Sequence, residues 1–277
     1  MNLKTLSYNL MDNLKVGFIG FGNMGRAIAS GLLRKKLLSK EDILVSVKSS
    51  QHKEKLQKEG FNVLSPQEVV DKSSVVFLAV KPFAVKEVLN LIKDKFNSEK
   101  LLITVVAGLP ISLYEKILGE EKKIVRTMPN VNVAVGRGLW GVSYNANIGE
   151  EDKTLVKKLL EATGKVFEID ESLMDAFTAL AGSGPAFVAE IIDAFALAGV
   201  KLGFSRKQAL EIAMETFRGT ITYLQKKNIH PLQFRDTITS PAGTTIYGIS
   251  KLNSLGIKGG LIEVIEEAYK RSKELGK

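Results

Sequence analysis

The sequence predicts an α/β protein: a doubly wound, mainly parallel sheet in the first part of the chain, followed by an all-helical second part. Three observations predict it. Short apolar, β-branched runs alternate with helix-length amphipathic stretches up to about Ile169. Gly20, Gly22 and Gly25 stand in G-x-G-x-x-G register between the first such run and the first such stretch. After Ile169 the strand-like runs stop and only long helical periods follow. Strands joined through helices pair in parallel and need cover on both faces, which 277 residues with 45% hydrophobic content can supply.

The elements follow in order. Residues 1–13, "MNLKTLSYNLMDN", lack the unbroken apolar core and small-residue cleavage site of a signal peptide, so they are expected to be a short tail on a cytoplasmic protein. Strands are expected at "KVGFIG", "ILVSV", "VVFLAV", "LLITVV", "KIVRT", "LWGVSY" and "KVFEI", giving a Rossmann-type dinucleotide-binding domain over residues 14–169. The last of these are joined by short connections, which favours antiparallel or edge strands near "RTMPNVNVAVGRGLWGVSY". Helices are then expected at "ESLMDAFTALAG", "GPAFVAEIIDAFALAGVKLG", "SRKQALEIAMETFRGTITYLQKK" and "IKGGLIEVIEEAYKRSKELG", a second domain over residues 170–277. Ala186, Ala189, Ala194, Ala196 and Ala198 permit close helix packing, and the apolar faces are too extensive for a lone small bundle, so this half is expected to make a dimer.

Composition removes several chemistries. The chain has no cysteine, which excludes disulfides and thiolate catalysis, and its two isolated histidines, His52 and His230, argue against a metal site. The net charge of +9 comes from lysines and arginines scattered among acids, without interleaved aromatics. That pattern is a solvated basic surface attractive to small polyanions, with no nucleic-acid face. No run approaches eighteen consecutive apolar residues, so no membrane span is expected.

The glycine turn, Ile19, Gly20, Phe21, Gly22, Asn23, Met24 and Gly25, is expected to bind a dinucleotide. Gly20 allows the tight turn, Gly22 lets the backbone approach a pyrophosphate, and Gly25 lets helix and strand pack closely. At the end of the second strand an acidic residue would hold ribose hydroxyls and repel a 2′-phosphate; this chain has Lys48, Ser49 and Ser50 instead. NADPH is therefore favoured, with NADH possible, although the same three residues would also suit the start of a solvated helix. "AVKP" (Ala79, Val80, Lys81, Pro82), "AGLP" with Ala107 and Gly108, and "TMPN" ending at Asn130 lie at three successive strand ends. Each is also ordinary turn chemistry; together they are expected to line the coenzyme.

"GFIGFGNMG", "LAVKP", "RTMPN", "LAGSGPAF" and above all "DTITSPAGTTIYGI" resemble the pyrroline-5-carboxylate reductase family, in order, from Leu14 onward. The resemblance implies reduction of 1-pyrroline-5-carboxylate to L-proline with hydride from NADPH, the last step of proline biosynthesis. A protonated cyclic imine is already electrophilic, so the chemistry needs orientation and a modest hydrogen bond more than a strong acid. Pro241, Ala242 and Gly243 should make a turn, after which Thr244 and Thr245 open a helix whose amides hold the substrate carboxylate. The resemblance gives Thr245 the contact to the ring nitrogen, Glu171 a place beside the substrate and Thr237 a place near the coenzyme. The family often has asparagine at this last position, and serine where this chain has Ala181. The resemblance further implies dimers through the helical half, and larger rings built from dimers.

Two alternatives stand beside it. A β-hydroxyacid dehydrogenase would share the fingerprint but use a lysine on the first long helix of the second domain, where this chain has none before Lys201. A catalytically silent NADPH-binding sensor would keep the cradle and need no "SPAGTT" turn. Reduction requires that the nicotinamide delivered by Gly20–Gly25 reach the turn near Thr245, within one subunit or across a pair.

Overall fold

The protein is described from a computed structural model, which covers Met11 and residues 13–275; the rest of the expected tail lies outside the described residues. The chain runs β1 (Val16–Ile19), α1 (Asn23–Arg34), β2 (Ile43–Ser46), α2 (Ser50–Lys58), β3 (Asn62–Val63), α3 (Pro66–Lys72) and β4 (Val75–Leu78). It continues through α4 (Val85–Ile92), β5 (Leu101–Thr104), α5 (Ile111–Leu118), β6 (Lys123–Pro129), β7 (Gly138–Tyr144), α6 (Glu150–Glu161) and β8 (Gly164–Glu168).

These strands form one sheet in the order β3-β2-β1-β4-β5-β6-β7-β8. All pairs are parallel except β6 with β7. The exception follows from the connection over residues 130–137, too short for the crossover that a parallel pair requires. Every residue of β1, β2, β4 and β5 is buried, as central strands covered on both faces must be. The sequence offered no signal for β3: Asn62 and Val63 pair with Leu44 and Val45, a contact too short to show a period of two.

Two apolar layers cover the sheet. One includes Phe18, Ile28, Leu32, Phe77, Val125 and Trp140, with the Phe18 and Phe77 rings stacked 5.0 Å apart across β1 and β4. The other includes Val76, Leu89, Leu102, Tyr114 and Ile124. The order reverses at β1, which has β2 on one side and β4 on the other. Reversal opens a crevice at the carboxyl ends of these strands, the usual ligand position in open α/β sheets.

Contacts divide the chain into two compact units: Met1–Gly182 with Tyr269–Lys277, and Ser183–Ala268. The first runs past Ile169 because α7 (Met174–Phe177) and the π-helical turn Thr178–Gly182 stay with the sheet. Met174 is buried, the Phe177 ring lies against Gly141, and Asn130 donates to the Ala181 carbonyl at 3.0 Å.

The second unit holds α8 (Gly184–Lys201), α9 (Arg206–Lys227), α10 (Pro231–Thr237), α11 (Thr244–Ser254) and most of α12 (Ile257–Leu275). Helices α8 and α9 pack closely where Gly199 meets Ala209, and Asp193 pairs with Arg206. The buried core of this unit is Ala196, Ala209 and Ala213, with Ile192 packed on it. Phe195, Leu202, Met214, Tyr247, Leu255 and Ile262 are all exposed. Three alanines bury too little apolar area to stabilise five helices, so these faces need a covering surface. The helical stretch Glu171–Lys201 is also long and apolar enough to cross a membrane by length and composition.

Candidate active site

The first cluster lies at the β1–β4 switch point. Gly20 follows β1 with φ +88°, donates its N–H to the Ser46 carbonyl at 2.9 Å, and could not carry a Cβ, which would lie 2.5 Å from the Ala79 carbonyl oxygen. Ala79 donates in turn to the Ile19 carbonyl at 2.8 Å, fastening the two strand ends together. A Cβ on Gly25 would lie 2.9 Å from the Gly20 carbonyl oxygen, so α1 starts hard against the turn. Gly22 is the opposite case: a Cβ there would meet nothing within 4 Å.

Gly22 is also the N-cap of α1, with no side-chain cap and no acidic residue in the first turn. Free N–H groups, a helix dipole and open space coincide at one point, which is what a pyrophosphate requires. A dinucleotide therefore fits these residues. Asn23 is exposed and Met24 half-buried beside the turn, whereas the side chains of Ile19 and Phe21 are buried. Phe21 packs on Phe18 and Phe61, so these two residues offer only backbone to a ligand.

Lys48 and Ser49 follow β2. The Lys48 side chain is 95% exposed, its Nζ 4.0 Å from Glu87, and Ser49 caps α2 by accepting from the His52 N–H. At the next strand ends Val80 is half-buried, Lys81 and Pro82 are exposed, Ala107 is exposed, and Gly108 has φ +80°. Asn130 is buried, and both polar ends of its side chain are bonded: Oδ1 accepts from Leu139 N–H at 3.1 Å while Nδ2 donates to Ala181. Asn130→Leu leaves both partners unpaired, and urea unfolding is expected to show a loss of about 3 kcal/mol.

The Ser240–Gly243 turn forms the second cluster. Gly243 donates to the Ser240 carbonyl at 3.1 Å, and Ala242 takes φ +57°, a left-handed conformation rare for alanine. Gly243 is the N-cap of α11 and carries no side-chain cap, leaving the first-turn N–H groups without an internal acceptor. Thr244 is exposed and Thr245 half-buried in that turn. Thr237, at the end of α10, donates its hydroxyl to the Phe234 carbonyl at 2.7 Å.

Glu171 lies in the first unit, on the 3₁₀ turn Glu171–Leu173. Its Oε1 accepts from the Ile111 N–H at 2.8 Å and from Arg126 Nη1 at 2.9 Å, so the expected substrate contact competes with two bonds to one carboxylate. Arg126 was absent from the sequence-based set. An arginine directly after the apolar pair Ile124–Val125, inside the strand-like run "KIVRT", is the signal that finds it, because a buried guanidinium needs a partner. Beside it, burial pushes the Tyr114 hydroxyl up to about 12. Tyr114 thus stays neutral and shares a 2.8 Å hydrogen bond with Thr104 Oγ1.

A glycine turn at the switch point of a doubly wound sheet, followed by helices with an uncovered apolar surface, defines a Rossmann-type oxidoreductase with a helical dimerisation domain. The family model described as pyrroline-5-carboxylate reductase dimerisation matches residues 171–275, and one described as NADP oxidoreductase, coenzyme F420-dependent, matches residues 15–108. The chain belongs to the pyrroline-5-carboxylate reductase family: it is 45% identical to the enzyme of that name from Aquifex aeolicus, over 95% of this chain and 97% of the relative. The enzyme from Methanosarcina acetivorans is 39% identical over 96% of this chain and 100% of its own length. A crystal structure of the Plasmodium falciparum pyrroline carboxylate reductase with NADP bound superposes with a TM-score of 0.86 at 34% identity, covering 96% of this chain and 99% of that one.

Proposed function

We propose that this protein reduces 1-pyrroline-5-carboxylate to L-proline with NADPH, and that the turn Ser240–Gly243 with the start of α11 binds the substrate. The observation that carries the substrate assignment is an uncapped helix N-terminus behind a left-handed turn, with a half-buried threonine hydroxyl in its first turn. Behind the Gly243 turn, the N–H groups at Thr244 and Thr245 hold the carboxylate, where helix dipole and hydrogen bonding act together. The Thr245 hydroxyl orients the ring nitrogen.

When bound, NADPH supplies the hydride that reduces the C=N carbon. The free N–H groups of the first turn of α1, behind Gly22, would hold the pyrophosphate, while Gly20 makes the tight turn and Gly25 seats the helix against it. Ala79–Pro82, Ala107 and Gly108 shape the remainder of the coenzyme site, and Lys48 with Ser49 receives the 2′-phosphate. Because the imine nitrogen is protonated before attack, the chain needs no strong acid, consistent with the absence of cysteine. Functionally, residues 14–169 serve the coenzyme and residues 170–277 the substrate and the partner subunit.

The uncovered apolar helices of the second unit are paired in a homodimer, or in a larger ring of dimers. That pairing accounts for the apolar surface of Glu171–Lys201 without a membrane, and the protein works in the cytoplasm without nucleic acid. The deciding experiment is oxidation of NADPH by the purified protein with 1-pyrroline-5-carboxylate, compared with NADH. Rapid imine-dependent oxidation is expected; tight NADPH binding without turnover would leave a sensor. Lys48→Ala is expected to raise the NADPH KM about tenfold with little change in the NADH KM, since a charge-assisted contact to phosphate is worth about 1.5 kcal/mol. Equal effects on both coenzymes would remove the basis for 2′-phosphate recognition by Lys48.

A further inference from the structure

Arg126, Glu171, Thr104, Thr127 and Tyr114 form a polar cluster that the functional assignment leaves unused. Its placement follows from strand direction. Thr127 pairs with Val142 and Val142 with Glu168, so β8, which runs against β6, exits alongside Arg126 and below the rim where β6 ends. Arg126 pairs in turn with Thr104, the last residue of β5. Glu171 is thereby brought to the start of α5, whose N-cap, Pro110, has no side-chain hydrogen bond to offer.

The segment between β5 and α5 carries Ala107 and Gly108, and polar contacts fasten both of its ends. At the first, Thr104 Oγ1 accepts from the Val106 N–H at 3.3 Å and is bonded to Tyr114, while Thr127 Oγ1 donates to the Thr104 carbonyl at 2.8 Å. At the second, Glu171 Oε1 accepts from the Ile111 N–H and is held by Arg126, whose side chain is only 9% exposed. A carboxylate 60 residues away thus supplies the α5 cap that the local sequence lacks.

We propose that Glu171, held by Arg126, is a positioning residue for the coenzyme: by capping α5 it fixes the geometry of the Ala107–Pro110 segment, and it takes no part in holding the imine. The inference rests on the assignment of Ala107 and Gly108 to the coenzyme site. It separates two quantities that a direct substrate contact would join differently, coenzyme affinity and imine KM.

The test uses the full-length protein with Glu171→Ala and Glu171→Gln, measuring NADPH Kd without imine and imine KM at saturating NADPH. Glu171→Ala is expected to raise the NADPH Kd about tenfold and to leave the imine KM within about twofold, the scale of one lost charge-assisted hydrogen bond. Glu171→Gln keeps an oxygen for the Ile111 N–H and should recover the Kd to within about threefold of wild type. Amide hydrogen exchange over residues 105–111 should quicken in Glu171→Ala while residues 244–254 are unchanged. Should Glu171→Ala fail to fold, Glu171→Asp withdraws the oxygen from Ile111 while keeping the charge at Arg126, with an expected rise in Kd close to that of Glu171→Ala, about tenfold. An unchanged NADPH Kd in the folded variant, or an imine KM that rises at constant Kd, overturns the proposal. Wild-type NADPH binding without imine turnover would instead defeat the reductase assignment alone, and the Kd and exchange comparisons would still decide the role of Glu171.

Discussion

Thr245→Val is expected to lower kcat/KM for 1-pyrroline-5-carboxylate about 100-fold while NADPH binds as before. Valine has nearly the shape of threonine, and Thr245 is half-buried in an uncapped first turn, so the substitution removes a hydroxyl without opening a core cavity. One hydrogen bond is worth about 0.5–1.5 kcal/mol in binding; the larger effect arises because the bond also sets the angle at which the C=N carbon meets hydride. Stopped-flow reduction with saturating NADPH is the measurement. Turnover equal to wild type would assign the nitrogen contact to another group, and a loss confined to thermal stability would make Thr245 a helix residue only.

Gly22→Ala is expected to weaken NADPH binding about 100-fold, corresponding to about 3 kcal/mol, or two charge-assisted contacts to the pyrophosphate. The distinguishing feature is what stays the same. A Cβ on Gly22 meets no atom within 4 Å, so the protein without coenzyme should lose no more than about 1 kcal/mol, from the poorer N-cap. Gly20→Ala makes the contrast, since its Cβ would meet the Ala79 carbonyl and strain a φ of +88°. Fluorescence titration with NADPH, set beside thermal unfolding of both variants, separates them. If Gly22→Ala binds NADPH at the wild-type affinity, the pyrophosphate does not approach α1.

The two ends of the proposed chemistry were legible because each is a local signal. The fingerprint from Gly20 to Gly25 spans a single βα turn, and "SPAGTT" spans a single turn and helix start; steric need and free N–H groups are both written within a few residues. The central strands were legible for a related reason, since burial on both faces demands an unbroken apolar run. Asn130 shows where local legibility ends. It stands in a strand-end motif that suggests a ligand contact, yet its amide bridges Leu139 and Ala181, the latter 51 residues away.

The sequence by itself determined the α/β class, the glycine turn between β1 and α1, the helical second half and the need for a partner surface, because each follows from periodicity or from short-range sterics. Only the tertiary structure decided that β8 comes out beside Arg126, that Glu171 caps α5, and that residues 171–182 stay with the sheet. Those outcomes depend on polar side chains tens of residues apart meeting in a buried place. Pairing of that kind leaves no period in the chain, since its energy comes from desolvation and hydrogen bonding that exist only after the sheet has assembled.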